Sequence, residues 1–200
     1  KTKHLPHGMV RLPTGKMSSR TGNIITGEWL LDEAKKLLKS KYNEMNEDTL
    51  EKVAVGSVKY ALLKNSLGHD IEFDFKESIN IQGNSGPYLQ YTFARTQSVL
   101  AKARINNEKL IINNLENEEI SLLRALNRFA EVVQEAGGKF APNLLCNYLF
   151  DLAQKFNLFY QKHKILQSKN QDFRLALTSS VGQILKTGLY LLGIESPEKM

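Results

Sequence analysis

Apolar residues recur three and four apart through most of this chain, and that spacing predicts a mainly α protein. Leu30, Leu31, Ala34, Leu37 and Leu38 make one stripe of a helix expected from Gly27 to about Ser40. Thr26 is its cap, with Glu28 and Asp32 near the positive end. Asn46 caps the next helix, whose apolar face is Val53, Ala54, Val58, Ala61 and Leu62, and Asn65 to Gly68 ends it. Ile71 to Phe75 switches to strict alternation of apolar and acidic residues, the mark of a half-buried strand. Met9 to Leu12 predicts a short edge strand. Asn80 to Gly86 reads as loop, and Pro87 suits the first turn of a helix reaching Ile105. The Asn- and Glu-rich stretch 106–117 predicts a compact connection with Leu110 and Ile111 tucked inward.

Three long helices follow. Glu118 to Ala136 carries Leu122, Leu126, Phe129 and Val133, and Gly137-Gly138 is expected to stop it. Ala141 to Lys164 carries Leu145, Leu149, Leu152, Phe156 and Phe159. Asp172 to Leu192 carries Leu177, Val181, Ile184, Leu185 and Leu189, and ends at Gly193. Each has a single apolar stripe, so none is stable alone; with the Pro87 helix they form an antiparallel helical bundle.

Composition narrows the class. Two hundred residues, 42% of them hydrophobic and 24% charged, suit one or two globular domains with a real core. No apolar run is long enough to span a bilayer, and Lys1-Thr2-Lys3-His4 is no signal peptide. The start without Met suggests a piece of a longer chain. The lone Cys146 falls on an apolar stripe, which makes it a small buried hydrophobe and fits a reducing cytoplasm. His4 and His7 flank Pro6, so no helix aligns them as metal ligands, and no metal site is expected. The net charge of +6 is uneven: residues 1–26 hold five Lys/Arg and no acid, and residues 141–200 hold seven basic side chains against four acidic. Both ends would attract a polyanion.

Lys16-Met17-Ser18-Ser19-Arg20 sits among the most concentrated of these charges, between Gly15 and Gly22. Two cations around two hydroxyls suit a polyphosphate: the cations offset its charge, and hydroxyls and amides donate to its oxygens. The glycines allow the backbone to come close. In context the stretch resembles the KMSKS loop of class I aminoacyl-tRNA synthetases. Gly83-Asn84-Ser85-Gly86-Pro87-Tyr88-Leu89-Gln90-Tyr91 with Ala94-Arg95, and the ending from Gly188 to Met200, resemble segments of the arginyl-tRNA synthetases. The three matches keep the family's order across nearly the whole chain, which is identified as similar to the C-terminal part of such an enzyme.

That resemblance implies an end of a catalytic domain with stem-contact helices over residues 1–80 and a helical, DALR-type anticodon-binding domain over 81–200. It implies a longer cytoplasmic, monomeric protein that activates arginine with ATP and Mg2+ and transfers it to tRNA(Arg). Lys16 and Arg20 would serve catalysis, and Lys16, Met17, Ser18, Ser19 and Arg20 would touch ATP. Ser19 replaces the motif's second lysine, and the adjacent Arg20 supplies a guanidinium instead. The family's His-Ile-Gly-His-type element is absent from these residues, so activity is expected of the longer protein and not of this chain alone. For tRNA, the expected contacts are Asn84, Tyr88, Gln90, Tyr91, Arg95, Phe159, Tyr160, Lys162, Arg174 and Met200. Aromatic rings would stack on unpaired bases while cations neutralise phosphates. Core packing competes for Phe159, an ion pair for Arg174, and a structural role for Asn84, Gln90 and Arg95. Two other readings stay open: a standalone helical RNA-binding module without catalysis, and a cysteinyl- or methionyl-type synthetase.

Overall fold

The computed structural model describes residues 2–13, 26–103 and 114–200. The stretch Lys16 to Arg20, and Leu110 with Ile111, lie outside these described residues. Within them the chain runs β1 (Val10–Arg11), α1 (Gly27–Lys41), α2 (Glu47–Leu63), β2 (Ile71–Glu72), α3 (Phe75–Ser78), α4 (Gly86–Ala101), α5 (Asn117–Asn127), α6 (Phe129–Lys139), α7 (Pro142–Lys162) and α8 (Gln171–Leu191).

The caps read from the sequence are in place. Thr26 Oγ1 accepts from Trp29 N at 3.1 Å, and Asn46 Oδ1 accepts from Thr49 N at 2.8 Å. Four elements differ from expectation. The alternating stretch yields only two residues of strand, because Asp74 turns its carboxylate onto Lys76 N and Glu77 N and starts α3. α4 stops at Ala101, where the amides of Lys102 and Ala103 close tight turns onto Val99 and Leu100. The helix expected from Glu118 to Ala136 is two helices that meet at Arg128. There the Tyr148 hydroxyl donates to the Ala125 carbonyl at 2.9 Å, taking the acceptor that an unbroken helix would offer to Phe129. Gly137 and Gly138 lie inside α6, which ends instead at Phe140 in the left-handed region, φ 55°.

Two apolar clusters organise these helices. The smaller gathers Ala34, Leu38, Val53, Ala54, Phe73 and Ile79 between α1, α2 and the segment that follows, with Met200 packed against it. The larger runs from Tyr60 and Leu89 through α5, α7 and α8 to Ile194. α4 is the common support, packed on α2, α7 and α8. α2 and α4 approach closely: a Cβ on Gly86 would lie 2.3 Å from the Gly56 carbonyl oxygen. β1 and β2 pair in parallel, Val10 opposite Ile71. Asp70 secures that pair by accepting from Met9 N at 2.9 Å and from the Arg11 guanidinium.

Candidate nucleic-acid interface

A polar stripe runs along the exposed side of α4. Tyr91, Arg95, Ser98 and Lys102 are four, three and four residues apart, so they share one face. Arg95 is its centre. Its guanidinium lies 4.9 Å from the Tyr91 ring and 4.9 Å from the Tyr160 ring, the second contributed by α7. It also donates to Asn157 Oδ1 and, at 3.2 Å, to the Tyr91 hydroxyl. Asn157 is buried, and its Nδ2 donates to the Tyr88 hydroxyl at 2.9 Å and to Thr92 Oγ1 at 3.0 Å. The guanidinium is therefore held in one orientation between two rings, with its outer edge accessible.

Three hollows meet along this stripe. The first, about 350 Å³, is lined by Arg95, Ser98, Lys102, Tyr160, His163 and Lys164 over a floor of Val99, Ile165 and Leu166. The second shares Arg95 and adds Ile81, Gln82, Tyr88, Tyr91, Asn157 and Gln161. The third shares Tyr91 and Ile81 and adds Lys41, Tyr42, Asn43, Glu44, Met45 and Met200. Together they make one groove from the α7–α8 corner to the chain's last residue. It carries five potential cations along its length and three tyrosines beside its centre, a composition suited to a single-stranded polyanion with π faces.

The residues expected to face RNA divide in two. Tyr88, Tyr91, Arg95, Tyr160 and Met200 line the groove. Phe159 and Gln90 have no exposed surface. Phe159 packs in the larger cluster beside Phe156, so a base could reach its face only if the core opened. Asn84 accepts from the Tyr60 hydroxyl at 2.6 Å and fixes the approach to α4. Arg174 is nearly buried, and its Nε donates to Glu119 Oε1 at 2.7 Å. Lys162 lines none of the three hollows, and its charge is matched by Glu118 Oε1 at 2.6 Å.

Lys102, Asn157, Tyr42 and Met45 were not singled out from the sequence. Signals pointed to two of them: the four-three-four spacing from Tyr91 to Lys102, and Asn157 set between Phe156 and Leu158 in α7. Cys146 is buried, and desolvation pushes its thiol up to about 12, so it is an inert core residue. Among the described residues no group of three or more His, Cys, Asp or Glu side chains could hold a metal, and no helix is long and apolar enough to cross a membrane.

The Lys162 side chain, then His163 Nε2 at 3.0 Å, hold the Glu118 carboxyl at about 2 against an ordinary 4.5. A depressed carboxyl stabilises the fold above pH 4.5 and loses that contribution as pH falls towards 2. Glu118→Gln is expected to lower stability at neutral pH and flatten the acid limb of the stability curve between those values. Urea midpoints across the range check this; an unchanged acid limb would mean that other groups carry the α5–α7 contact.

Residues 89–200 match the family model of the DALR anticodon binding domain. The arginine–tRNA ligase of Parabacteroides distasonis is 38% identical over 98% of the chain, and that of Phocaeicola vulgatus 39% identical over 98%. The chain spans 36% of the length of each. Among solved structures, the arginyl-tRNA synthetase of Thermus thermophilus superposes with a TM-score of 0.87 at 29% identity, over 97% of this chain and 35% of that one.

Proposed function

The chain belongs to the DALR anticodon binding domain family, and from that premise we propose that it is the tRNA-recognising part of an arginine–tRNA ligase. The Arg95 guanidinium clasped between Tyr91 and Tyr160 carries this reading. Bases turned out of an anticodon loop stack on tyrosine faces and on a guanidinium plane. Lys102, Lys164 and Lys41 then neutralise the phosphates on either side, and Gln161 and Gln82 offer amides to base edges.

In the longer protein, arginine and ATP with Mg2+ are the substrates, and a cytoplasmic monomer binds tRNA(Arg). To Lys16 and Arg20 we assign the role of offsetting charge on the triphosphate, and to Met17, Ser18 and Ser19 that of contacting it. They thereby stabilise pyrophosphate as it leaves. In this reading, residues 1–80 end the catalytic domain and contact the stem, and residues 81–200 form the anticodon-binding domain.

A titration of this chain with an arginine-accepting tRNA, and with the same tRNA changed at its second anticodon base, tests the reading. The expected result is a preference of about tenfold that persists as salt weakens both affinities. Equal affinities at every salt concentration would leave only phosphate attraction and overturn it.

A further inference from the structure

Gln90 lies in the middle of α4 with no exposed surface. Its Nε2 donates to two backbone carbonyls from distant parts of the chain: Lys52 in α2 at 3.0 Å, and Glu195, beyond the end of α8, at 2.7 Å. Two carbonyls facing one atom fix the amide's orientation, because a flipped amide would set oxygen against oxygen. The Gln90 Oε1 finds no hydrogen-bond partner among the described residues. A buried acceptor left unpaired lowers stability, so packing alone does not account for a glutamine here.

The segment that Gln90 grips is a strap. It leaves α8 through Gly193, whose φ of +69° suits glycine, and the exposed Lys59 donates to the Gly193 carbonyl. Ile194 and Pro197 are buried, and Lys52 Nζ stands 3.8 Å from Glu195 Oε2. The strap then ends with Met200 beside Tyr42, Met45 and Tyr91, as one wall of the groove. Gln90 and Tyr91 are neighbours on α4, turned about 100° apart around the helix. One faces the strap's root and the other faces its tip.

We infer that Gln90 is a positioning residue: it meets no RNA itself, but by holding Glu195 it sets where Met200 stands against Tyr91, and so controls which nucleotide the groove accepts. The inference rests on the tRNA-binding reading above. A segment outside any helix has many conformations, and the wall it forms is specific only while it is held.

Three variants of the 200-residue chain test this: Gln90→Leu, removal of residues 197–200, and both together. Each is titrated with the two tRNAs named above, and amide deuterium exchange is followed over 194–199 in the unaltered chain and in Gln90→Leu. Gln90→Leu is expected to speed strap exchange and to reduce the roughly tenfold preference to near one, with salt-dependent binding of an unrelated RNA unchanged. Truncation is expected to give the same loss, and the combined variant no more than either alone, because both break one linkage. Strap exchange unaltered in Gln90→Leu, a preference that survives it, or losses that multiply in the combined variant would each overturn the inference. Should Gln90→Leu fail to fold, Lys59→Ala loosens the same strap from the surface; unchanged exchange and preference there would overturn it equally. Equal affinities in the unaltered chain would instead defeat the tRNA-binding reading, and this inference with it.

Discussion

Glu119→Ala is expected to destabilise the chain by about 3–5 kcal/mol, the usual consequence of breaking a buried ion pair from one side. Glu119 has no exposed surface, and its two oxygens are both engaged. Oε1 accepts from Arg174 Nε at 2.7 Å, and Oε2 accepts from Glu116 N at 2.8 Å, which closes the capping box of α5. Without the carboxylate, the Arg174 guanidinium keeps only the Lys164 carbonyl at 2.9 Å while buried near the root of α8. Much of the loss is the cost of a stranded charge, so the paired change Glu119→Leu with Arg174→Met is expected to recover most of it. Urea unfolding followed by circular dichroism measures both. A single-variant loss below about 1 kcal/mol would show that the guanidinium finds water or another acceptor.

Arg95→Ala is expected to weaken tRNA binding about thirtyfold, or roughly 2 kcal/mol, and to cost about 1–3 kcal/mol of stability as the buried Asn157 Oδ1 loses its donor. The side chain orders the centre of the groove: it lies over Tyr91 and Tyr160 and fixes Asn157. Removing it loses a cation, a stacking plane and the alignment of two rings at once. Arg95→Lys restores the charge without the planar fork and is expected to recover less than half of the binding free energy. Lys102→Ala provides the contrast. Lys102 offers only charge to a phosphate, so its loss weakens all RNAs alike and reduces the slope of affinity against salt by about 1. Isothermal titration at several salt concentrations separates these cases. If Arg95→Ala behaved as Lys102→Ala does, the clasp would be contributing charge alone.

Much of the helical framework was legible because several starts have a local chemical cause. Thr26, Asn46 and Pro87 act within their own first turns, and the apolar stripes of α7 and α8 are continuous. The break at Arg128 was not legible. Leu122, Leu126, Phe129 and Val133 keep helical spacing straight through it, and the cause is a hydroxyl from α7, twenty-three residues away. Asp74 misled for a different reason: as the acidic member of an alternating run it looks like strand, yet its shape lets it cap a helix. Tyr88, Tyr91 and Arg95 of the groove stand in the family-like motif, whereas Tyr160 was singled out because it lies off the apolar stripe beside Lys162 and Lys164. For Gln90, in the same motif, RNA contact and a structural role both stayed open, because a one-dimensional pattern cannot say which side of α4 is covered by the strap after α8. Arg174 illustrates the competition between reach and pairing: a buried carboxylate opposite it decides the matter for the ion pair.

Val10 meets Ile71 only across the whole length of α1 and α2, and two rungs of parallel ladder are too few to persist unaided. The carboxylate of Asp70, reaching both the Met9 amide and the Arg11 guanidinium, is therefore the mooring line of the amino-terminal stretch. Asp70→Ala is expected to open the β1–β2 ladder before the helices, with faster amide exchange at Ile71 and Phe73.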